Sequence, residues 1–278
     1  MCLWKQTLDL KPTRQAMRVA ITGAAGLIGG IVHDHLTALG HNVTGIDRPL
    51  GDWLAAGRNT DDENARNRVD IEMDLTTVSD EELCAVLEGI DCLIHLAADA
   101  NPSNDDTSMM RNNIEPTTAI FRCAISSHIS RVIVASSGLT QVGLEPLFNE
   151  GGPMHGRMIR VEDGIAPTST YGASKIYAEV LAEMHARIHG IETIAVRIGT
   201  VIPDESEHWT RGWRLQATAF LAEDVRRFFQ AAVENPIDGH LLTAAQSDSP
   251  GRFLDLEPGL SVLDWGPISW PNSAENLQ

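Results

Sequence analysis

The chain has 278 residues, 43% of them hydrophobic, enough to bury a full α/β core. A formal charge of −17 argues against nucleic acid or an anionic membrane as a partner. No apolar run approaches the length of a membrane span, no signal peptide is visible at Met1, and Cys2, Cys84, Cys92 and Cys123 form no CxxC pair. These features predict reduced, structural thiols in a cytoplasmic protein.

In chain order, residues 1–16 read as an extension outside the fold, with Met17 as an alternative start. Residues 18–22 form a short apolar run suited to a buried strand. Gly23, Gly26 and Gly29 follow, and from Ile28 the apolar period turns helical until Gly40. Strand, glycine turn and helix in that order make a cradle for a pyrophosphate, with Gly23, Gly26, Leu27, Ile28 and Gly29 as its contacts. The spacing is GxxGxxG rather than GxGxxG, so the placement between strand and helix carries the reading. A second strand, 41–47, ends at Asp47, where a carboxylate would accept from ribose hydroxyls and favour NAD. Arg48 beside it can hold a 2′-phosphate, which leaves NADP open.

Residues 48–68 read as a surface loop or short helix, and 69–75 as a third strand ending at Asp74 and Leu75. A helix over 79–89 starts at Ser79 with Glu82 in capping-box position. Further strands are expected at 92–97, 131–136 and 193–198, and helices at 108–127 and 170–189. The alternation predicts an α/β fold with a doubly wound parallel sheet. Residues 144–169 and 201–278 break the rhythm and are expected to cap the carboxyl ends of the strands. The division read from this is an extension over 1–16, a dinucleotide-binding domain over 17–200, and a small substrate-capping region over 201–278 with help from 144–169.

The densest chemistry lies at Tyr171-Gly-Ala-Ser-Lys175. The chain has three lysines, and the other two are Lys5 and Lys11. Four residues apart on a helix, Tyr171 and Lys175 share a face. An ammonium beside a phenol is expected to lower the phenol pKa and make Tyr171 a general acid/base. Ser137, at the end of the fifth strand, is placed to hold the substrate oxygen, with Ser136 its neighbour. No metal is implied by any cluster.

Together, Thr22-Gly-Ala-Ala-Gly-Leu-Ile-Gly29, Asp74-Leu75, His95-Leu-Ala-Ala98, Asn112-Asn-Ile114, Ser136-Ser137, Tyr171-x-x-x-Lys175 and Arg197-Ile-Gly-Thr200 resemble the extended short-chain dehydrogenase/reductase family over residues 17 to about 270. The resemblance implies a Rossmann fold with a nicotinamide cofactor. It places Asp74 and Leu75 against the adenine, and Leu96, Ala97, Ala98 and Ile198 along the cofactor. It makes Asn113 the fix for a backbone kink near the catalytic lysine.

Within that family the chain is most similar to hexuronate dehydrogenases and related enzymes that oxidise the anomeric carbon of a sugar. This implies Gly138, Thr200 and Arg214 at the substrate, with Arg214 as the clamp for an acid group and Arg211 as runner-up. Gly138-Leu139 stands where those enzymes carry a polar Asn-His pair, so the sugar contacts are expected to differ. The longer insert from Leu144 to Pro167, with His155, Arg157 and Arg160, is a candidate for replacement contacts or a surface flap.

An epimerase is the first alternative, and an NAD(H)-binding sensor the second. Residues 201–278 are short for a nucleotide-sugar domain, and a sensor has no need of the Tyr-Lys pair. The partners expected are a small sugar or sugar acid and, by analogy, a second copy of the chain in a homodimer.

Overall fold

The computed structural model describes residues 16–53, 62–202, 212–249 and 251–268. Residues 1–15 and Arg211 therefore lie outside the described residues. The first half runs β1 (Arg18–Thr22), α1 (Leu27–Ala38), β2 (Asn42–Asp47), α2 (Leu50–Trp53), α3 (Glu63–Asn67), β3 (Ile71–Glu72), α4 (Asp80–Val86), β4 (Cys92–His95), α5 (Asp106–Met109) and α6 (Glu115–Ser126). The second half runs β5 (Arg131–Ser137), α7 (Glu145–Phe148), α8 (Thr170–His189), β6 (Glu192–Ile198), β7 (Thr200–Ile202), α9 (Trp213–Ala217), β8 (Ala219–Leu221), α10 (Ala222–Glu234), β9 (His240–Ala245) and α11 (Gly259–Leu263).

Seven strands form one parallel sheet in the order β3-β2-β1-β4-β5-β6-β9. The order reverses at β1 and β4, and a crevice opens at the carboxyl ends of the strands there. The strands are apolar on both faces because helices cover both. One core joins Val32, Leu36, Phe228 and Phe229 to Ile21, Ile94 and Ile133. The other joins Leu83, Phe121, Leu181 and Ala182 to Leu93, Val132 and Ala195.

Local signals explain the helix ends. Ser79 accepts from the Glu82 amide at 3.2 Å and Glu82 accepts from the Ser79 amide at 3.2 Å, which closes the expected capping box. Helix α8 starts at Ser169, whose hydroxyl accepts from the Gly172 amide, and stops at Gly190 in the left-handed region.

Three expectations change. The third strand is shorter than 69–75: Asp70 spends its carboxylate on the Gly45 amide, and only Ile71 and Glu72 pair with β2. The chain beyond residue 200 is not cap alone. Strand β9 returns to the main sheet and pairs in parallel with β6, and Phe220, Phe228 and Trp265 pack edge to face beneath it. The thiols also differ. Cys84 on α4 and Cys123 on α6 are joined as a disulfide, while Cys92 is a buried free thiol. Packing of α4 on α6 brings those two Cα atoms to 4.8 Å across a separation of 39 residues.

Candidate active site

The turn between β1 and α1 brings backbone too close for a side chain at Gly23 and at Gly29. Gly23 has φ +75°, and a Cβ there would lie 2.9 Å from the Ala97 nitrogen. A Cβ on Gly29 would meet the Gly23 carbonyl at 2.1 Å. Helix α1 is therefore pressed onto the turn, with Gly26 as its N-cap, no side-chain cap and no acidic residue in its first turn. Open amides and a positive helix end facing a cleft fit a dinucleotide pyrophosphate.

A chain of buried hydrogen bonds ties this turn to the rest of the site. The Thr22 hydroxyl meets His95 Nδ1 at 2.8 Å, and His95 Nε2 meets the Thr117 hydroxyl at 3.1 Å. Thr117 donates to the Asn113 carbonyl at 2.5 Å. Burial pushes the His95 pKa down to about 3, with Lys175 adding to the shift, so the imidazole is neutral and serves as a connector.

Asn113 stands in a π-helical turn over Met110–Ile114. Its Oδ1 accepts from the Asp99 amide at 2.8 Å. Its Nδ2 donates to the Asp99 carbonyl at 3.1 Å and the Ser174 hydroxyl at 3.0 Å. The side chain thus braces the loop after β4 against α8, one residue before Lys175. Its amide is engaged by the Asp99 backbone and the Ser174 hydroxyl.

Three adjoining cavities line the crevice. The first, at the far end of β2, is bounded by Asp47, Arg48, Asp74, Leu75, Ala97 and Ala98. Asp47 Oδ2 accepts from the Ala25 amide at 3.0 Å, so the carboxylate also holds the glycine turn. The second, of about 430 Å³, runs from Gly26, Leu27, Ile28 and Gly29 past Leu96 to Ser137, Tyr171, Lys175, Ile198 and Thr200. The third, of about 200 Å³, lies beyond Tyr171 between Ser137, Gly138, Leu139, Glu145, Thr200, Arg214, Phe253 and Leu254. Tyr171, Ser137, Ile198 and Thr200 belong to the wall shared by the last two.

Lys175 Nζ stands 5.7 Å from the centroid of the Tyr171 ring. The lysine is buried, and loss of solvent pulls its pKa down to about 8. The expected lowering of the phenol is not what this environment produces. Burial pushes the Tyr171 pKa up, against a hydrogen bond from Ser137 that favours the phenolate, and the Asp99 charge adds to the rise. Desolvation of a side chain is set by tertiary packing, which helix spacing does not reveal.

Ser136 and Ser137 have different surroundings. Ser136 lines the second cavity but is buried, and its hydroxyl donates to Glu179 Oε1 at 2.5 Å. Arg197 in β6 grips the same carboxylate through Nε and Nη2, both at 2.8 Å. This buried ion pair fastens α8, and with it Tyr171 and Lys175, to the sheet. Thr200 is paired with Thr218, hydroxyl to hydroxyl, at 2.9 Å.

Arg214, the expected anion clamp, lines the third cavity. It already holds a carboxylate: Nε and Nη2 donate to the two oxygens of Glu145 at 2.9 and 2.7 Å. The three basic residues of the insert point elsewhere. Arg160 pairs with Asp255 at 3.3 Å, Arg157 reaches the Met154 sulfur, and His155 is exposed. The insert is stitched down rather than loose. Ile159 bridges Leu254, and Gln141 donates to the Arg160 and Gly164 carbonyls at 2.6 and 2.9 Å. Glu145, Glu179 and the Thr22–His95–Thr117 chain were not foreseen as parts of the site. The positions of Thr22, His95 and Arg197 within the quoted motifs are the only signal.

Residues 19–232 match the sequence profile of the NAD dependent epimerase/dehydratase family. The chain belongs to that family. It is 27% identical over 269 residues to L-arabinose 1-dehydrogenase (NAD(P)(+)) of Haloferax volcanii, covering 90% of this chain and 96% of that one. It is 25% identical to the uronate dehydrogenase of Pseudomonas syringae pv. tomato, covering 90% of this chain and 81% of the other. Its fold matches the crystal structure of a glucuronic acid dehydrogenase from Chromohalobacter salexigens with a TM-score of 0.76 at 24% identity, over 94% of this chain and 88% of that one. The β1–α1 turn, the β4 tip and the α8 Tyr-Lys pair all fall inside the span matched to the family.

Proposed function

We propose that the protein is a dehydrogenase that moves a hydride from a sugar or sugar-acid hydroxyl carbon to NAD, at the anomeric carbon, leaving a lactone. The observation that carries this reading is the shared wall. Tyr171, Lys175 and Ser137 line the dinucleotide cleft, and Tyr171 and Ser137 also face the small cavity beside it. When bound, NAD accepts the hydride.

The chain's own residues do the rest. Ser137 donates to the substrate oxygen and orients it. Tyr171 takes the hydroxyl proton as the carbon–hydrogen bond breaks, in the phenolate form that the positive nicotinamide ring of bound NAD would favour against the rise caused by burial. Lys175, protonated below about pH 8, stabilises the phenolate charge and offers donors to ribose hydroxyls. Asp47 and Arg48 serve the adenosine ribose, and Asp74 and Leu75 the adenine. Leu96, Ala97, Ala98 and Ile198 line the cofactor's path.

The relatives' activities support the same class: an aldose 1-dehydrogenase and a uronate dehydrogenase. The substrate cavity, about 200 Å³, is smaller than the roughly 300–1,000 Å³ typical of sites for larger ligands, which favours a monosaccharide over a nucleotide sugar. A cytoplasmic site of action and a homodimer belong to the same reading. The former suits an enzyme that draws on the cell's pyridine nucleotide pool. The latter is supported by Val180, Met184 and Ile188, exposed along one side of α8.

The test is direct. Purified protein is mixed with NAD or NADP and a panel of aldoses, sugar acids and sugar phosphates, and reduced cofactor is followed by absorbance. Steady formation of NADH with at least one free sugar is expected. Interconversion of a nucleotide sugar with no net reduction would instead favour an epimerase.

A further inference from the structure

The charged side chains that the described residues place in the substrate cavity are already paired with each other. Glu145 opens α7 in the insert, and Arg214 stands on α9. Among the described residues lining this cavity, these are the only two with charged side chains. The guanidinium meets the carboxylate side-on through both oxygens, at 2.9 and 2.7 Å. That is the planar geometry in which an arginine grips the carboxylate of a ligand. The Glu145 side chain is 9% exposed, against 39% for Arg214.

We propose that Glu145 takes the place of a substrate carboxylate on Arg214 and so makes the site selective for neutral aldoses over uronic acids and sugar phosphates. This rests on the dehydrogenase reading above and narrows its substrate class.

Three observations converge. The first is charge. Glu145 and Arg214 sum to zero, so an anionic ligand gains no net attraction there. To reach the guanidinium it must displace Glu145 and leave a buried carboxylate without its partner, which is strongly unfavourable. The chain's −17 adds repulsion at longer range.

The second is the polar inventory. A carboxylate only accepts and a guanidinium only donates, whereas each sugar hydroxyl does both. A paired acceptor and donor therefore matches vicinal hydroxyls, and the Thr200–Thr218 hydroxyl pair extends the match. The remaining wall is apolar, with Leu139, Ile198, Phe253 and Leu254, and suits the carbon face of a pyranose or furanose.

The third is rigidity. Gly143, two residues before Glu145, donates to the Ala166 carbonyl at 2.8 Å, and Phe148 anchors α7 in the core. The Arg214 carbonyl accepts from the Thr218 hydroxyl at 2.9 Å. The backbones that carry both partners are therefore held in place.

The experiment compares glucose with glucuronate and glucose 6-phosphate, which differ from it only at C6. Binding to the NADH-loaded protein is measured by calorimetry, and NAD reduction is measured in parallel. Wild type should bind glucose, or a related neutral aldose, at least about tenfold more tightly than either anion. Glu145→Gln keeps the shape and frees the guanidinium from its internal anion. Its ratio of glucuronate to glucose binding should rise about 10–100-fold.

Arg214→Leu should not gain anion binding, which separates charge release from general loosening of the pocket. A wild type that prefers the anions, or a Glu145→Gln ratio within about twofold of wild type, would overturn the proposal. The wild-type preference decides alone if the variants do not fold. Selective aldose binding without any NAD reduction would leave the Glu145 assignment standing and sink the dehydrogenase reading. Reduction of NAD by uronates in preference to aldoses would do the reverse.

Discussion

The two ends of the crevice are built by different means. The far, glycine-turn end of the dinucleotide cleft is made of chain segments from the first hundred residues: β1, the turn and α1, then the tips of β2 and β4. Its parts contact one another through backbone, as where Gly29 fits against the Gly23 carbonyl. The substrate end is assembled from distant pieces. Glu145 and Arg214 are 69 residues apart, and the Ile159–Leu254 bridge joins segments farther apart still. The first construction leaves little room for change and serves one cofactor chemistry. The second can exchange a side chain without disturbing the sheet, and substrate choice can vary there.

The largest effect that would probe this contrast is on chemistry at the junction. Tyr171→Phe should slow turnover by roughly 10²–10⁴ while NADH affinity stays close to wild type. Unchanged turnover in a steady-state assay would remove the phenol from the mechanism.

Next comes the fastening of α8. Glu179→Ala strands Arg197, which is 1% exposed, and should cost about 3–5 kcal/mol in a urea melt. Replacing both residues with apolar ones of similar volume should recover most of that loss. If it does not, the pair contributes more than mutual neutralisation.

Lys175 should behave in the opposite sense. Its pKa falls from 10.5 to about 8 on burial. Between those values the unfolded chain holds more protons than the native one, so stability rises with pH across that window. Below about pH 8 the full penalty is present, up to roughly 3 kcal/mol at about 1.4 kcal/mol per pH unit. Lys175→Met should therefore melt higher than wild type at pH 7, with a gap that narrows toward pH 10.5, while turnover collapses. A lower melting temperature at pH 7 would mean that the ammonium has stabilising partners.

The smallest change concerns cofactor choice. Asp47→Ala should reduce preference for NAD over NADP by about 10–100-fold, the value of a hydrogen bond to a charged group. It should also weaken both cofactors somewhat, since the Ala25 amide loses its acceptor. A wild type that already prefers NADP would assign the deciding role to Arg48.

The cofactor end was readable in the sequence because its signals are local. Strand, glycine turn and helix follow one another, and Ser79 lies three residues from its capping partner. The substrate end was not, for reasons that differ residue by residue. Glu145 lies in an insert without a motif, and nothing near it in sequence announces Arg214. Glu179 reads as a polar position on α8 until β6 brings Arg197 beneath it. Strand β9 is a six-residue run inside a stretch rich in Pro and Gly, and only its pairing with β6 reveals its place. Cys84 and Cys123 look unrelated until α4 lies on α6. The phenol shift depended on burial, which no spacing rule contains.

One practical consequence follows from the scarcity of lysine. A chain begun at Met17 would keep Lys175 as its sole side-chain primary amine, since Lys5 and Lys11 precede that point. With a pKa of about 8, a fraction near a tenth of it is unprotonated and nucleophilic at pH 7. Acylating reagents that label most proteins at many points would modify this one at the crevice floor and at the terminal α-amino group. The rate of that labelling, and its suppression by added nucleotide, would serve as an occupancy gauge that needs no knowledge of the substrate.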